Sequence, residues 1–157
     1  MAMSQEPFID VVCCDLVAEL VRSTGSAKLQ VTGLSMLPAI WPGDELTIQR
    51  QPPDQFAPGQ VVFFRRNGGV VAHRIVRIAD DRLFTRGDSN PELDAPVSWD
   101  EVIGRVAGIR RNGLPVRLQP SFAQRMMAWA LRRSHFALRL LLHFHPIAQK
   151  SSYVSAQ

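Results

Sequence analysis

Three short segments carry residue types that can do chemistry. The first is Gly33-Leu34-Ser35-Met36-Leu37-Pro38, followed by Gly43-Asp44. Its glycine and proline bracket a tight turn that would present Ser35 at the end of a strand. A serine nucleophile needs such an exposed position, with its own backbone N–H free to help bind an oxyanion. By itself, a serine in a Gly/Pro-rich loop is an ordinary turn residue. The second segment is Val70-Val71-Ala72-His73-Arg74-Ile75-Val76, a histidine inside a run of β-branched residues. On a strand, His73 and Ile75 face one side and Ala72 and Arg74 the other. An imidazole neutral near pH 7 is the natural base for a serine hydroxyl, although a lone strand histidine is more often a core or surface residue. The third is Thr85-Arg86-Gly87-Asp88-Ser89-Asn90-Pro91-Glu92-Leu93-Asp94. Asp88 reads equally as an Asx-turn cap, and that bland reading is weaker for Asp94. A carboxylate that orients the base would complete a Ser/His/Asp arrangement.

The elements that must position these residues are short strands. Apolar runs over 28–32, 45–49, 61–65, 70–78, 83–85, 102–109 and 115–118 are separated by turn signals that include Pro42-Gly43-Asp44, Asn67-Gly68-Gly69, Asp80-Asp81 and Asn112-Gly113. Asn-Gly between β-branched runs is a strong hairpin signal. The reading is mostly β, a small antiparallel barrel or sandwich. A helix is expected over 7–22, where Phe8, Val12, Leu16 and Leu20 form one apolar face, ended by Ser23-Thr24-Gly25-Ser26. A second helix is expected over 121–144, with Arg125, Arg132, Arg139 and His143 on one face and Met127, Ala130, Leu131, Leu138, Leu141 and Leu142 on the other. The chain thus divides into 1–24 (helix), 25–119 (β domain) and 120–157 (basic amphipathic helix and tail).

At 157 residues the chain is one domain, able to bury roughly 70% of its unfolded surface without disulfide or metal staples. Its two cysteines, Cys13 and Cys14, are adjacent, which suits reduced thiols rather than a disulfide framework. Net charge is +4, yet no run of five or more basic residues and no aromatic-interleaved RNA motif is present, so nucleic acid is not an expected partner. The most apolar early stretch is interrupted by Asp10, Asp15 and Glu19 and lacks a basic leader, so neither a transmembrane helix nor a signal peptide is expected. A cytoplasmic protein follows. His143 and His145 lack a third nearby ligand, so no metal and no cofactor is expected.

The order and spacing of Gly-x-Ser-Met-x-Pro, Gly-Asp, Gly-Gln-Val-Val-Phe-Phe, His-Arg-Ile-Val, Gly-Asp-Ser-Asn and Val-Ile-Gly-Arg-Val resemble the type I signal peptidase family over about 29–108. The likeness is to its endoplasmic-reticulum and archaeal branch, and the self-cleaving repressor proteases share the fold and the serine motif. The resemblance implies a serine endopeptidase of the signal-peptidase fold. In the bacterial branch and the repressors the base is a lysine; in the reticulum-type branch it is a histidine followed by a basic residue, as in His73-Arg74. Only Lys28 and Lys150 are present, and neither falls on the base strand. The resemblance therefore assigns Ser35 as nucleophile and His73 as base. It places Asp94, six residues after Asp88, as the third catalytic residue, with Asp88, Gly33 and Met36 supporting the site. Asp88 remains a competitor for the role of Asp94. With glycine at position 33, no side-chain hydroxyl from there assists the oxyanion.

The implied partner is an extended peptide or precursor protein, bound as an added strand between the edges near 29–33 and 70–73. By analogy with the family, its pockets favour small residues. Unlike signal peptidases, the chain carries no spanning anchor, so an intracellular precursor whose leader is removed during maturation is the expected substrate. Residues 121–144 suit either peripheral contact with anionic membrane or packing on the domain or a partner protein. A catalytically weak module that grips a leader by β-addition is the alternative. A self-cleaving regulator is less favoured, because the stretch before Ser35 leaves little room for a helix-turn-helix and a cleavable linker.

Overall fold

The computed structural model describes residues 11–119 and 126–130. Their order is α1 (Val11–Thr24), β1 (Ser26–Gln30), β2 (Glu45–Gln49), a 3-10 turn (Pro53–Gln55), β3 (Val61–Arg66), β4 (Gly69–Ala79), β5 (Arg82–Arg86), β6 (Val102–Arg111) and β7 (Leu114–Val116). All pairings are antiparallel. The sheet runs β1-β2-β6-β3-β4-β5, with β7 also on β6, and is not closed.

The centre of this sheet explains its sequence. Val61, Val62, Phe63 and Phe64 are all buried because β3 lies between β6 and β4 and is covered on both faces. Val61 and Phe63 enter one core with Met36, Ile40, Leu46, Ile48, Val106 and Ile109. Val62 and Phe64 enter a second with Phe56, Ile75, Leu83 and Val97. A strand buried on both faces reads as an unbroken apolar run, not an alternation.

Three hairpins close on turns with two positive-φ residues: Asn67-Gly68 (51° and 77°), Asp80-Asp81 (51° and 56°) and Asn112-Gly113 (51° and 79°). That pattern is the type I′ turn, whose twist matches the strands it joins. Antiparallel neighbours and short turns thus follow from dipeptides already visible in the chain.

The helical face differs from expectation. Val17 and Val21 pack on the first core, Val21 with no exposure, whereas Leu16 and Leu20 are 68% and 43% exposed. A residue step rotates a helix by about 100°, so the neighbouring pair of apolar residues supplies the buried face. Gly25, at φ 84°, ends α1 by donating its N–H to the Val21 carbonyl at 3.0 Å. β1 starts and ends two residues earlier than expected. Val31 still bonds, but to Gly43 and Asp44 of the following turn (2.7 and 2.9 Å) instead of to a strand.

Two features prepare the site. β4 is long: residues 69–73 pair only with β3, because β5 joins it from Arg74 onward. β1 pairs only with β2. Each therefore offers an unpaired edge. The start of the expected N-terminal helix, and the expected C-terminal helix apart from a helical turn at 126–130, lie outside the described residues, as do His143 and His145. Among the described residues, no helix is long and apolar enough to cross a membrane.

Candidate active site

Ser35 sits just beyond β1, on a loop held from beneath. Leu37, Ala39 and Ile40 donate their amides back to Leu34 and Met36 (3.0–3.2 Å), the Leu37–Pro38 peptide is cis, and Met36 to Ile40 are buried. The loop's far end is riveted as well. Asp44 is fully buried and receives Nε and Nη2 of Arg111 at 2.8 and 2.7 Å, together with the Trp41 N–H at 2.8 Å. A bidentate guanidinium–carboxylate pair fixes orientation as well as distance. Apolar anchoring and this pair leave Ser35 projecting from the loop.

His73 projects from β4 into the same space, 6% exposed, in a T-shaped contact with the Phe64 ring at 6.2 Å between centroids. Its Nε2 lies 2.9 Å from Ser35 Oγ and its Nδ1 lies 2.7 Å from Asp94 Oδ2. A carboxylate only accepts, so the proton sits on Nδ1 and Nε2 is left to accept from the Ser35 hydroxyl. Thr85 Oγ1 donates to the same Oδ2 at 2.6 Å. Burial alone would push the Asp94 carboxyl up. The hydrogen bond and charge of His73, the Thr85 hydroxyl and the positive charge of Arg66 outweigh it and hold the carboxyl below its ordinary 3.8.

The loop from Gly87 to Asp94 does two separate jobs. Asp88 does not reach the imidazole. It takes Nε and Nη2 of Arg74 at 2.8 and 2.7 Å, while Arg74 Nη1 donates to the Gly59 carbonyl. Adjacent residues of β4 thus engage the two carboxylates on opposite faces, His73 with Asp94 and Arg74 with Asp88. Of the two aspartates left open by the sequence, the geometry brings Asp94 to the base. Ser89 clasps the serine loop: its N–H donates to the Ser35 carbonyl at 3.0 Å, and its hydroxyl lies 2.9 and 3.0 Å from the Ser35 and Leu34 carbonyls. Gly87 permits this contact, since a Cβ there would lie 2.6 Å from the Ser35 carbonyl oxygen.

Gly33 and Met36 line a small cavity of about 90 Å³ with Ser35 and His73. Its other walls are Leu29, Val31, Thr32, Ile40, Leu46, Phe63, Val70, Val71 and Ala72. A Cβ at Gly33 would meet no described atom within 4 Å, so the glycine leaves space beside the serine. The two unpaired edges meet across this cavity. The Ser35 N–H donates to no described group. No group of three or more potential metal ligands occurs among the described residues.

Thr85, Gly87 and Ser89 lie inside the third motif, yet their roles were not read from the sequence. Thr85 carried a signal: it is the polar residue in a strand whose inward positions, 83 and 85, are both buried. Arg66 carried none.

The model of the Peptidase S24-like family matches residues 6–107. The chain belongs to that family. A search of curated proteins found no match. Membership in the Peptidase S24-like family makes the protein a serine peptidase in kind, a group that spans self-cleaving and signal-peptidase-like folds. Lys28, the one described lysine, does not face Ser35; its Nζ lies 3.4 Å from Glu45 on β2. The basic group beside Ser35 is the imidazole of His73.

Proposed function

We propose that this Peptidase S24-like protein is a serine endopeptidase of the signal-peptidase type, with the histidine base of the reticulum and archaeal branch. Its substrate is a peptide or protein precursor from which it removes a leader or signal segment. The continuous hydrogen-bond chain Ser35–His73–Asp94 carries the reading.

In this mechanism His73 Nε2 takes the Ser35 proton as Oγ bonds to the scissile carbonyl carbon. The Ser35 N–H faces the resulting oxyanion. The imidazolium then gives its proton to the departing amine, leaving the N-terminal fragment as an ester on Ser35. Water, deprotonated by the same imidazole, hydrolyses that ester. Asp94 keeps Nδ1 protonated and stabilises each imidazolium. The substrate backbone pairs with the free edges of 29–33 and 69–73, a β-addition that supplies affinity without selecting side chains. The small cavity then selects the side chain beside the scissile bond.

A peptide-library digest read by mass spectrometry tests this, with wild type beside Ser35→Ala. Cuts made by wild type and lost in the variant support it. If Ser35→Ala and wild type both bind peptides and neither cuts, the protein is a leader-gripping module instead. Incubation of the chain alone covers self-cleavage: a shortened product absent from Ser35→Ala would replace precursor processing with autoproteolysis.

A further inference from the structure

Arg66, the last residue of β3, belongs to no motif and touches neither Ser35 nor His73. Its surroundings nevertheless converge on the candidate site. Nη2 donates to the Ala95 carbonyl at 2.8 Å, and so grips the chain one residue past Asp94. The guanidinium lies 5.4 Å from the ring centroid of Phe64, the ring in T-shaped contact with His73. Its Nε is shielded from solvent and has no hydrogen-bond partner. Among the described residues it makes no ion pair. A guanidinium held in this half-satisfied way costs stability, which an anion nearby but out of contact would offset.

Asp94 is the anion next to the gripped Ala95 carbonyl, and the charge of Arg66 is the smallest of the influences that hold its carboxyl down. The carboxylate spends Oδ2 on His73 and Thr85, so a direct fork from arginine would compete with the imidazole for it. Arg66 instead acts through space, and its hydrogen bond goes to the backbone of the next residue. The segment 94–97 is pinned on its other side by β5: Asp94 N–H to the Thr85 carbonyl at 2.9 Å, and Val97 and Leu83 to each other at 2.8 and 2.9 Å. β5 and the end of β3 therefore clamp Asp94 between them.

We propose that Arg66 is the electrostatic positioning residue of this site, keeping Asp94 charged and its segment docked against His73 without competing for the carboxylate. The inference rests on the peptidase reading only where turnover is measured. The groups acting on Asp94 are His73 from β4, the neutral Thr85 hydroxyl from β5 and Arg66 from β3. Removing the arginine takes a positive charge from beside the Asp94–His73 pair, so the carboxyl midpoint and the acid limb of activity should both move toward higher pH.

Wild type, Arg66→Met and Arg66→Lys are compared in two measurements: kcat and KM against pH, and the ¹³C titration of the Asp94 carboxyl. Arg66→Met should raise both the acid limb and the carboxyl midpoint, as loss of a nearby charge does. It should lower kcat about tenfold and leave KM unchanged, since the loss falls on the transition state. Arg66→Lys should return limb and midpoint close to wild type. An unmoved midpoint in Arg66→Met overturns the proposal, as does an equal loss in both variants with an unmoved limb, which marks a purely structural arginine. If wild type itself cuts nothing while the midpoint still moves, the Arg66 inference stands and the peptidase reading falls.

Discussion

At the scale of single residues, the site depends on a charge that must stay in place. Asp94→Asn keeps the shape of the side chain but lets the amide present N–H to the ring, favouring the wrong tautomer of His73. A loss in kcat of roughly 10³–10⁴-fold is expected, with KM little changed. The same carboxyl has a stability signature. Its folded value lies below 3.8, so its contribution is complete above that value and is lost as pH falls through the lower folded one. Below pH 3.8 the unfolding free energy of wild type should therefore fall more steeply with acid than that of Asp94→Asn, as measured by urea titration at several pH values. Ser35 and His73 became candidates through the order and spacing of the motifs around them, since each alone reads as an ordinary turn or strand residue. The choice between Asp88 and Asp94 was not legible in the sequence. Both follow turn residues, and only the tertiary fold, by giving Asp88 to Arg74, turns Asp94 toward the imidazole.

At the scale of elements, the site is two loops locked to each other and to the sheet. Gly87→Ala drives a methyl group into the Ser35 carbonyl and the Asn90 side chain, 2.6 and 2.9 Å away. The serine loop must shift, and a displacement of order 1 Å costs about 10²-fold in rate. Kinetics alongside thermal unfolding should show kcat reduced by that factor with the fold retained. Asp44→Ala acts differently, since it strands the Arg111 guanidinium against a buried pocket. Arg111 is partly exposed and can turn toward water, so the expected loss is about 3 kcal/mol, the low end for a broken buried pair, read by urea unfolding. The strands and their I′ turns were legible because Asn-Gly and Asp-Asp occupy the positive-φ corners. The buried face of α1 was not, since Leu16–Leu20 and Val17–Val21 have the same spacing and only the docked sheet distinguishes them. The Asp44–Arg111 pair joins residues far apart in sequence and left no local trace.

For the whole molecule, the proposed binding of a peptide strand needs an open sheet. Had it closed, the edges at 29–33 and 69–73 would be paired and no peptide backbone could add between them. The cavity at their meeting point is small, about 90 Å³, which suits a small side chain. Peptides with Ala or Ser beside the scissile bond should be cut, and those with Leu or Phe there should lose kcat/KM by about 10²-fold or more. Enlarging the pocket by Phe63→Ala should narrow that gap, at a cost in stability because Phe63 belongs to the first core. The mostly β architecture was legible from alternating runs and turns, but an open sheet was not, because closure depends on which strands remain edges.

The central claim is that Ser35 and His73 act as one catalytic unit on a peptide bond. The most direct test is kcat/KM for wild type, Ser35→Ala, His73→Ala and the double variant, all on one cleavable peptide. Residues that act as a unit lose their effect together. The account predicts that each single variant falls by about 10⁴-fold or more and that the double variant falls no further. Losses that multiply, or a His73→Ala protein that cuts at the wild-type rate, would contradict it.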